Sequence, residues 1–464
     1  MANRKKVLHI AHGIASYNNS LVEMARLFKG SGIELCVASH VDLSDVLQDC
    51  DATFVHLKVD EVIADERRQE LEHTGRFHDP IRILRRILVN NRHRRRFLAS
   101  RELDDLVEES QPDLLLIDME CHVAIIQLYG CGIKSVLCSR WFSVFRSGGV
   151  PPMHTRLQPS DNVIKTLKIN VAWYRLWFKK IRLEFHSRFS RKRFWPISYR
   201  ANSRLDLESV ASERGISLRS ITDRFHWLMP HVYSELAIMS LTVAELEFGE
   251  QFDHRMHYVG PLIGDKNSTP TRYSSATDHF ERFLDRDDRN SDRKLIYCSF
   301  STYWSTDRNN LEELVSVFTR CQDIDLVVGL GGNPIPKFIS ELPANILVLE
   351  YAPQLRIMQC ADVVITHGGI STINEALYHG VPLLVCSSGH VDQDGCLARV
   401  VHYGVGLATV GGTLNGIEIE SLLKCLLSKE GQIVRDRVKV MQSIMRQYET
   451  KRSMLRFVER ELSI

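Results

Sequence analysis

The residues best suited to chemistry lie between Tyr351 and Gly406. The window opens Tyr351-Ala352-Pro353-Gln354 and continues Thr366-His367-Gly368-Gly369-Ile370-Ser371-Thr372, with Glu375 one turn on. It closes with His379-Gly380-Val381-Pro382 and Asp392-Gln393. Glycines between a strand and a helix let the backbone approach a ligand closely. The free N–H groups and positive dipole end of that helix favour a phosphate. Ser371 and Thr372 add hydroxyl donors in the first turn. Glu375 can accept hydrogen bonds from a ribose diol, and Tyr351 offers a ring on which a base can stack. Asp392 and Gln393 suit sugar hydroxyls. Each piece alone is weak, because a His-Gly-Gly turn is commonly loop chemistry and an acid on a helix is commonly solvated. Their order, each piece at an expected strand end, carries the weight.

These residues need elements to position them. With 464 residues, two domains of roughly 200 residues are expected. In the N-terminal half Val7–Ala11, Ile33–Ser39, Leu114–Ile117 and Ser135–Cys138 read as strands, with Leu21–Phe28 as a helix. In the C-terminal half Leu295–Phe300, Asp325–Gly329, Ile346–Glu350, Asp362–Thr366 and Pro382–Cys386 read as strands, and Leu311–Arg320, Ser371–Tyr378 and Ala398–Tyr403 as helices. This alternation predicts an α/β protein of two Rossmann-like, doubly wound parallel-sheet domains facing across a cleft. The N-terminal domain spans 1–263, a linker 264–275 and the C-terminal domain 276–445. A final helix, 446–464, is expected to cross back to the first domain.

Composition narrows the options. The chain is 44% hydrophobic and 25% charged, which suits a well-cored globular protein. A net charge of +2 argues against a general polyanion binder, and no nucleic-acid recognition module is visible. The eleven cysteines show no C-x-x-C pair, and no His or Cys cluster has metal-ligand spacing, so no metal is expected. Gly329-Leu330-Gly331-Gly332 lacks the spacing of a dinucleotide turn. No signal peptide or membrane span is evident, and a cytoplasmic protein is the default reading. Two segments stand apart. Arg82–Arg101 holds eight arginines, and 163–193 interleaves basic residues with Trp173, Trp177 and Phe185. The second reads either as a helix lining an acceptor pocket or as a peripheral membrane contact.

The C-terminal window resembles the donor-binding signature of family 1 glycosyltransferases, the UDP-glycosyltransferase superfamily with the GT-B fold. The resemblance is specific from about Leu295 to Gly406; the N-terminal half is similar mainly in architecture. It implies that Tyr351 stacks the nucleotide base, where Trp is usual, and that Gln354 contacts base or ribose. It places His367, Gly369, Ser371 and Thr372 at the diphosphate, Glu375 at the ribose, and Asp392 and Gln393 at the sugar. Ser299-Phe300-Ser301-Thr302 resembles the family's Ser-Phe-Gly-Ser/Thr loop, with Thr302 near the diphosphate and Ser301 in place of Gly. Cys396 stands where Asn is usual.

The resemblance further implies an inverting hexosyl transfer, without metal or cofactor, from a UDP- or TDP-sugar to a hydroxyl of a small, lipophilic acceptor. That acceptor is expected between Arg140–Gly149 and Trp173–Phe185. The family's general base is a His after the first strand, oriented by an Asp. Aligned on that loop, the His position falls on Tyr17, while His12 lies at the strand's end and Asp118 fits the orienting Asp. Three readings stay open. His12 serves through a shifted loop; another group, such as Asp118 or His122, serves; or the base is missing and the chain is a glycosyltransferase-like auxiliary or binding protein.

Overall fold

The computed structural model describes residues 4–72, 80–189, 196–227, 231–249, 252–264, 275–285, 292–299, 308–339, 342–411 and 414–463. Apart from its two end residues, the stretch read as a linker lies outside the described residues, and so does Thr302.

The first domain is built on strands β1 (Lys5–Ile10), β2 (Ile33–Ser39), β3 (Ala52–His56), β4 (Leu114–Asp118), β5 (Ser135–Ser139), β6 (Ala237–Ser240) and β7 (Met256–Tyr258). They pair in the order β3-β2-β1-β4-β5-β6-β7, all parallel. The second domain uses β8 (Lys294–Ser299), β9 (Ile324–Gly329), β10 (Ile346–Leu349), β11 (Val363–Thr366), β12 (Leu383–Val385) and β13 (Gly406–Ala408). Their order is β10-β9-β8-β11-β12-β13, again parallel. Central strands such as Leu114-Leu115-Leu116-Ile117 are buried on both faces, which is why they read as apolar runs rather than alternations. In both sheets the strand order reverses beside the first strand of the domain. Such switch points open crevices at the carboxyl ends of the strands.

Seven helices shape the crevice, the domain seam and the outer surface. They are α1 (Asn18–Phe28), α2 (Pro80–Leu98), α3 (Val163–Phe189), α4 (Ile370–His379), α5 (Gln393–His402), α6 (Gln432–Thr450) and α7 (Ser453–Glu461). The C-terminal stretch reads in sequence as one helix but forms two. Arg452 takes the left-handed conformation, φ 49°, and the chain turns there. Residue 445 falls inside α6, so the second domain's last helix runs on past it. Helix α7 then packs Met454, Leu455, Phe457 and Val458 into the first domain's core with Leu21, Met24 and Phe28. Four of the arginines of 82–101 are answered by acids: Arg92 by Glu70, Arg94 by Asp206, Arg96 by Glu66 and Arg101 by Glu108. That segment is a structural, ion-paired helix. Among the described residues no helix is long and apolar enough to cross a membrane.

The two domains meet at α5. Arg399, buried, places Nη2 2.9 Å from Glu247 Oε2 of the first domain. Its guanidinium carbon lies 4.3 Å from the Phe142 ring and 4.4 Å from the Phe248 ring. Glu247 also accepts from the Tyr258 hydroxyl at 2.8 Å and from the Ser143 N–H. One turn earlier, Gly395 lies against the Met153 carbonyl, where a Cβ would collide. Arg156 reaches over to Asp394 at 2.8 Å and to the Val410 carbonyl at 2.7 Å. Removing one member of a buried pair leaves the other charge uncompensated. Glu247→Gln should therefore cost about 3–5 kcal/mol of stability, read as a lower urea midpoint; an unchanged midpoint would mean the seam does not depend on the pair.

Candidate active site

One interdomain crevice is lined by Ser20 and Arg140, which follow β1 and β5 of the first domain, and by Ser371, Asn374 and Glu375 of α4 in the second. On the second domain's side, β11 ends in Thr366 and the chain passes through His367-Gly368-Gly369 into α4. Gly369 is the N-cap, and no side chain caps it. The first-turn N–H groups of Ile370, Ser371 and Thr372 thus face the crevice without an intrahelical partner. A Cβ on Gly369 would sit 2.8 Å from His367 Nε2, so the imidazole would have to shift to admit one. Burial pushes the His367 imidazole down to about 4. At neutral pH it is uncharged and offers a phosphate a hydrogen bond rather than a charge.

Glu375, one turn into α4, is buried and fully engaged. Its Oε1 accepts from Asn19 Nδ2 of the first domain at 2.9 Å, and its Oε2 accepts from Gln354 Nε2. Gln354 Oε1 in turn accepts from the Tyr297 hydroxyl at 2.9 Å and the Ser299 hydroxyl at 2.8 Å. The expected ribose acceptor and base contact are therefore joined in one relay, closed by a residue from the opposite domain. Burial raises Glu375 to about 7 despite both amide donors. Tyr351 follows β10, partly exposed. Asp392 is the N-cap of α5, its carboxyl raised by burial to about 6 and 3.7 Å from the Cys396 sulfur. Gln393 Oε1 accepts from the Ser388 N–H and hydroxyl. Val391, just before, has φ 46°, a strained position for a β-branched residue.

The first domain answers with four groups. Tyr17, at the position where the family carries His, donates its hydroxyl to Glu120 Oε2 at 2.9 Å. The Arg140 guanidinium lies 3.7 Å from the Tyr17 ring centre, 3.1 Å from the Ser20 hydroxyl and 3.0 Å from Asp118 Oδ1. Burial alone would raise Asp118, but Arg140, His9 and the His12 backbone N–H hold it well below the usual carboxylate range. Glu120 lies in the turn after Asp118, partly exposed, and burial raises it to about 7 against the Tyr17 hydrogen bond. Asp392, from the other domain, is among the charges acting on it.

Several sequence expectations change here. The His12–Asp118 pair does not form through the ring: Asp118 accepts the His12 backbone N–H at 2.8 Å, while the imidazole packs edge-on against His40 with ring centres 5.7 Å apart. Burial, with Arg200 and Arg140, lowers His12 despite Asp118. His122 is a core residue, its Nδ1 3.1 Å from the Tyr233 hydroxyl. Trp173 fills the core instead of lining a cleft, its Nε1 donating to the Val150 carbonyl at 2.8 Å. Glu120, Arg140 and Asn19 are polar groups of the site that sequence reasoning misses. The signal for Glu120 is its place two residues past Asp118, where the strand ends at the switch point.

The fold is that of the two-domain GT-B glycosyltransferases. The glycotransferase of kitacinnamycin aligns over 99% of this chain and 100% of its own, with a TM-score of 0.59 and 18% identity. VinC, solved in complex with dTDP, aligns over 98% and 100% with a TM-score of 0.54 and 15% identity. More particularly, residues 325–443 match the model of the glycosyltransferase family 28 C-terminal domain. NDP-glycosyltransferase YjiC of Bacillus subtilis (strain 168) is 26% identical over 193 residues, which cover 40% of this chain and 45% of the relative. The match thus spans less than half of that relative's length. The chain resembles family 1 glycosyltransferases by sequence in its donor half and by fold throughout.

The raised carboxyls give a pH signature. The folded value of Glu375, about 7, lies above its unfolded value. The native state therefore binds the extra proton, and the group's contribution is lost as pH rises through about 7. Buried histidines such as His367 act in the opposite sense at lower pH, so the clean readout compares variant with wild type. Glu375→Gln should gain melting temperature relative to wild type between about pH 5 and about pH 8. A difference that stays flat over that window would contradict the raised carboxyl.

Proposed function

We propose that this chain transfers a hexosyl unit from a UDP- or TDP-sugar to a hydroxyl of a small, lipophilic acceptor, with inversion at the anomeric carbon. The observation that carries this reading is the crevice itself. An uncapped helix start, a neutral His367 and the Gln354–Glu375 relay lie on one domain and a titratable Glu120 on the other, with Asn19 bonded across to Glu375 and Asp392 acting on Glu120. The names of the similar proteins, among them an NDP-glycosyltransferase and a glycosyltransferase holding dTDP, agree with a nucleotide-sugar donor.

The donor's diphosphate would lie at the start of α4, its ribose at Glu375 and its sugar at Asp392 and Gln393. A diol at Glu375 exchanges with the Asn19 or Gln354 amide now bound there. The acceptor oxygen attacks the anomeric carbon from the first domain's side, and the bond from that carbon to the phosphate oxygen breaks. The nucleoside diphosphate leaves with the electron pair, its charge met by the α4 N–H groups and the first-turn hydroxyls. The acceptor proton passes to the Glu120 carboxylate. A base near neutral suits this step, and the Tyr17 hydroxyl orients the carboxylate. Tyr17 in place of His motivates the auxiliary reading, but a titratable group sits directly on its hydroxyl.

The test is nucleoside diphosphate release from UDP-glucose and TDP-glucose, with UDP binding measured in parallel. Glu120→Gln should lower turnover by about 10²–10⁴-fold while binding UDP like wild type, and His12→Ala should stay within several-fold of wild type. Wild-type activity should rise with pH through about 7, as Glu120 ionises. Loss in His12→Ala with activity kept in Glu120→Gln would return the role to His12. Absence of UDP binding would overturn the transferase reading itself.

A further inference from the structure

Helix α3 has two apolar sides, and the fold buries one. Ile169, Trp173, Leu176 and Lys180 face inward. Lys180 Nζ is held there by the His226 carbonyl at 2.6 Å and the Arg224 carbonyl at 3.2 Å. A second stripe recurs at three- and four-residue intervals through Ile164, Leu167, Val171, Tyr174 and Phe178. These side chains are 40–67% exposed. From Ile164 to Phe178 the stripe runs about 20 Å along the helix. Exposed apolar rows of this length on a soluble helix mark a contact surface.

The charge around the stripe says what kind. Lys165, Lys168, Arg175, Lys179, Arg182 and Arg188 are exposed along the helix. The helix carries a single acid, Glu184, and it is turned to Arg224 at 3.0 Å and Arg204 at 3.6 Å. This differs from α2, where Arg92, Arg94 and Arg96 pair with acids within the protein. Two copies meeting through this stripe would bring both sets of cations together. An anionic lipid surface would take the apolar row into its headgroup boundary and the cations onto its phosphates at once.

We propose that α3 seats this protein on anionic bilayers, lying in the plane of the surface. The inward side of α3 holds the loop that begins at Val150, and Met153 and Arg156 of that loop touch α5. The seated helix is thus two contacts from the crevice. The inference does not depend on the transferase reading, because it is read by binding alone.

The experiment is co-sedimentation of the full chain with phosphatidylcholine vesicles, and with vesicles containing about one-third phosphatidylglycerol. Wild type should bind the mixed vesicles, weaken as salt rises and ignore phosphatidylcholine alone. The exposed-site variants Leu167→Glu/Phe178→Glu and Lys168→Glu/Lys179→Glu should each bind about tenfold or more weakly with unchanged melting temperature. Failure of wild type to bind the mixed vesicles overturns the proposal. So does undiminished binding by both variants. A wild-type dimer in sedimentation velocity that Leu167→Glu/Phe178→Glu turns into monomer would also overturn it, by showing that a second copy covers the stripe.

Discussion

The buried pair between Arg399 and Glu247 is the contact on which the rest of this arrangement depends. It lies where the two domains touch, excluded from water and flanked by Phe142 and Phe248. A buried ion pair contributes modest stability but fixes geometry, because neither charge tolerates separation in a dry seam. The geometry it fixes here is that of α5. The same ten-residue helix begins at Asp392-Gln393 and ends at the seam. The residues suited to reading a sugar and the residues that set the interdomain angle are therefore one rigid body. Strain at Val391 sits at the junction between that body and the loop before it.

The crevice is organised around carboxyls that burial raises above their ordinary range. Glu375, Asp392 and Glu120 are all raised, burial being the largest cause in each case. Asp118 is the exception, because Arg140 sits on it. Arg140 thus separates two neighbouring acids into different roles: Asp118 stays ionised as a structural partner, and Glu120 remains titratable near neutrality. The Asn19–Glu375–Gln354 relay means that Glu375 is already hydrogen-bonded from both domains. A ligand that reaches Glu375 must replace one of those bonds.

Much of the scaffold was legible from the sequence because doubly covered parallel strands announce themselves as apolar runs. Ile33–Ser39 carries the same bounds in sequence and structure, and β8 to β12 fall within a residue or two of expectation. The strands not anticipated have clear reasons. The edge strand β3 (Ala52–His56) is only half-buried and contains Thr53 and His56, while β6 is four residues long and β7 and β13 are three each. At the candidate site, the second-domain residues stood out because they cluster in one window in chain order. The first-domain side did not, since Tyr17, Glu120 and Arg140 are brought together across three strand ends. Pattern reading along the chain contains no information on which of His12, Asp118 or Glu120 faces the crevice. Trp173 was misplaced for a related reason: a Trp between cations has the same sequence signature whether its helix lines a pocket or fills a core.

Helix α7 ties the end of the chain to its beginning. Met454, Leu455, Phe457 and Val458 complete the core around α1, and Lys134 pairs with Glu461 at 2.8 Å. In a chain made from its N-terminus onward, the first sheet can form early, yet one part of its apolar cover is encoded more than 400 positions later. Contacts of such sequence separation carry a large loop-closure cost and form late. Leu21, Met24 and Phe28 therefore lack that part of their cover until α7 has been synthesised, and the first domain is complete only when the end of the chain has returned to it.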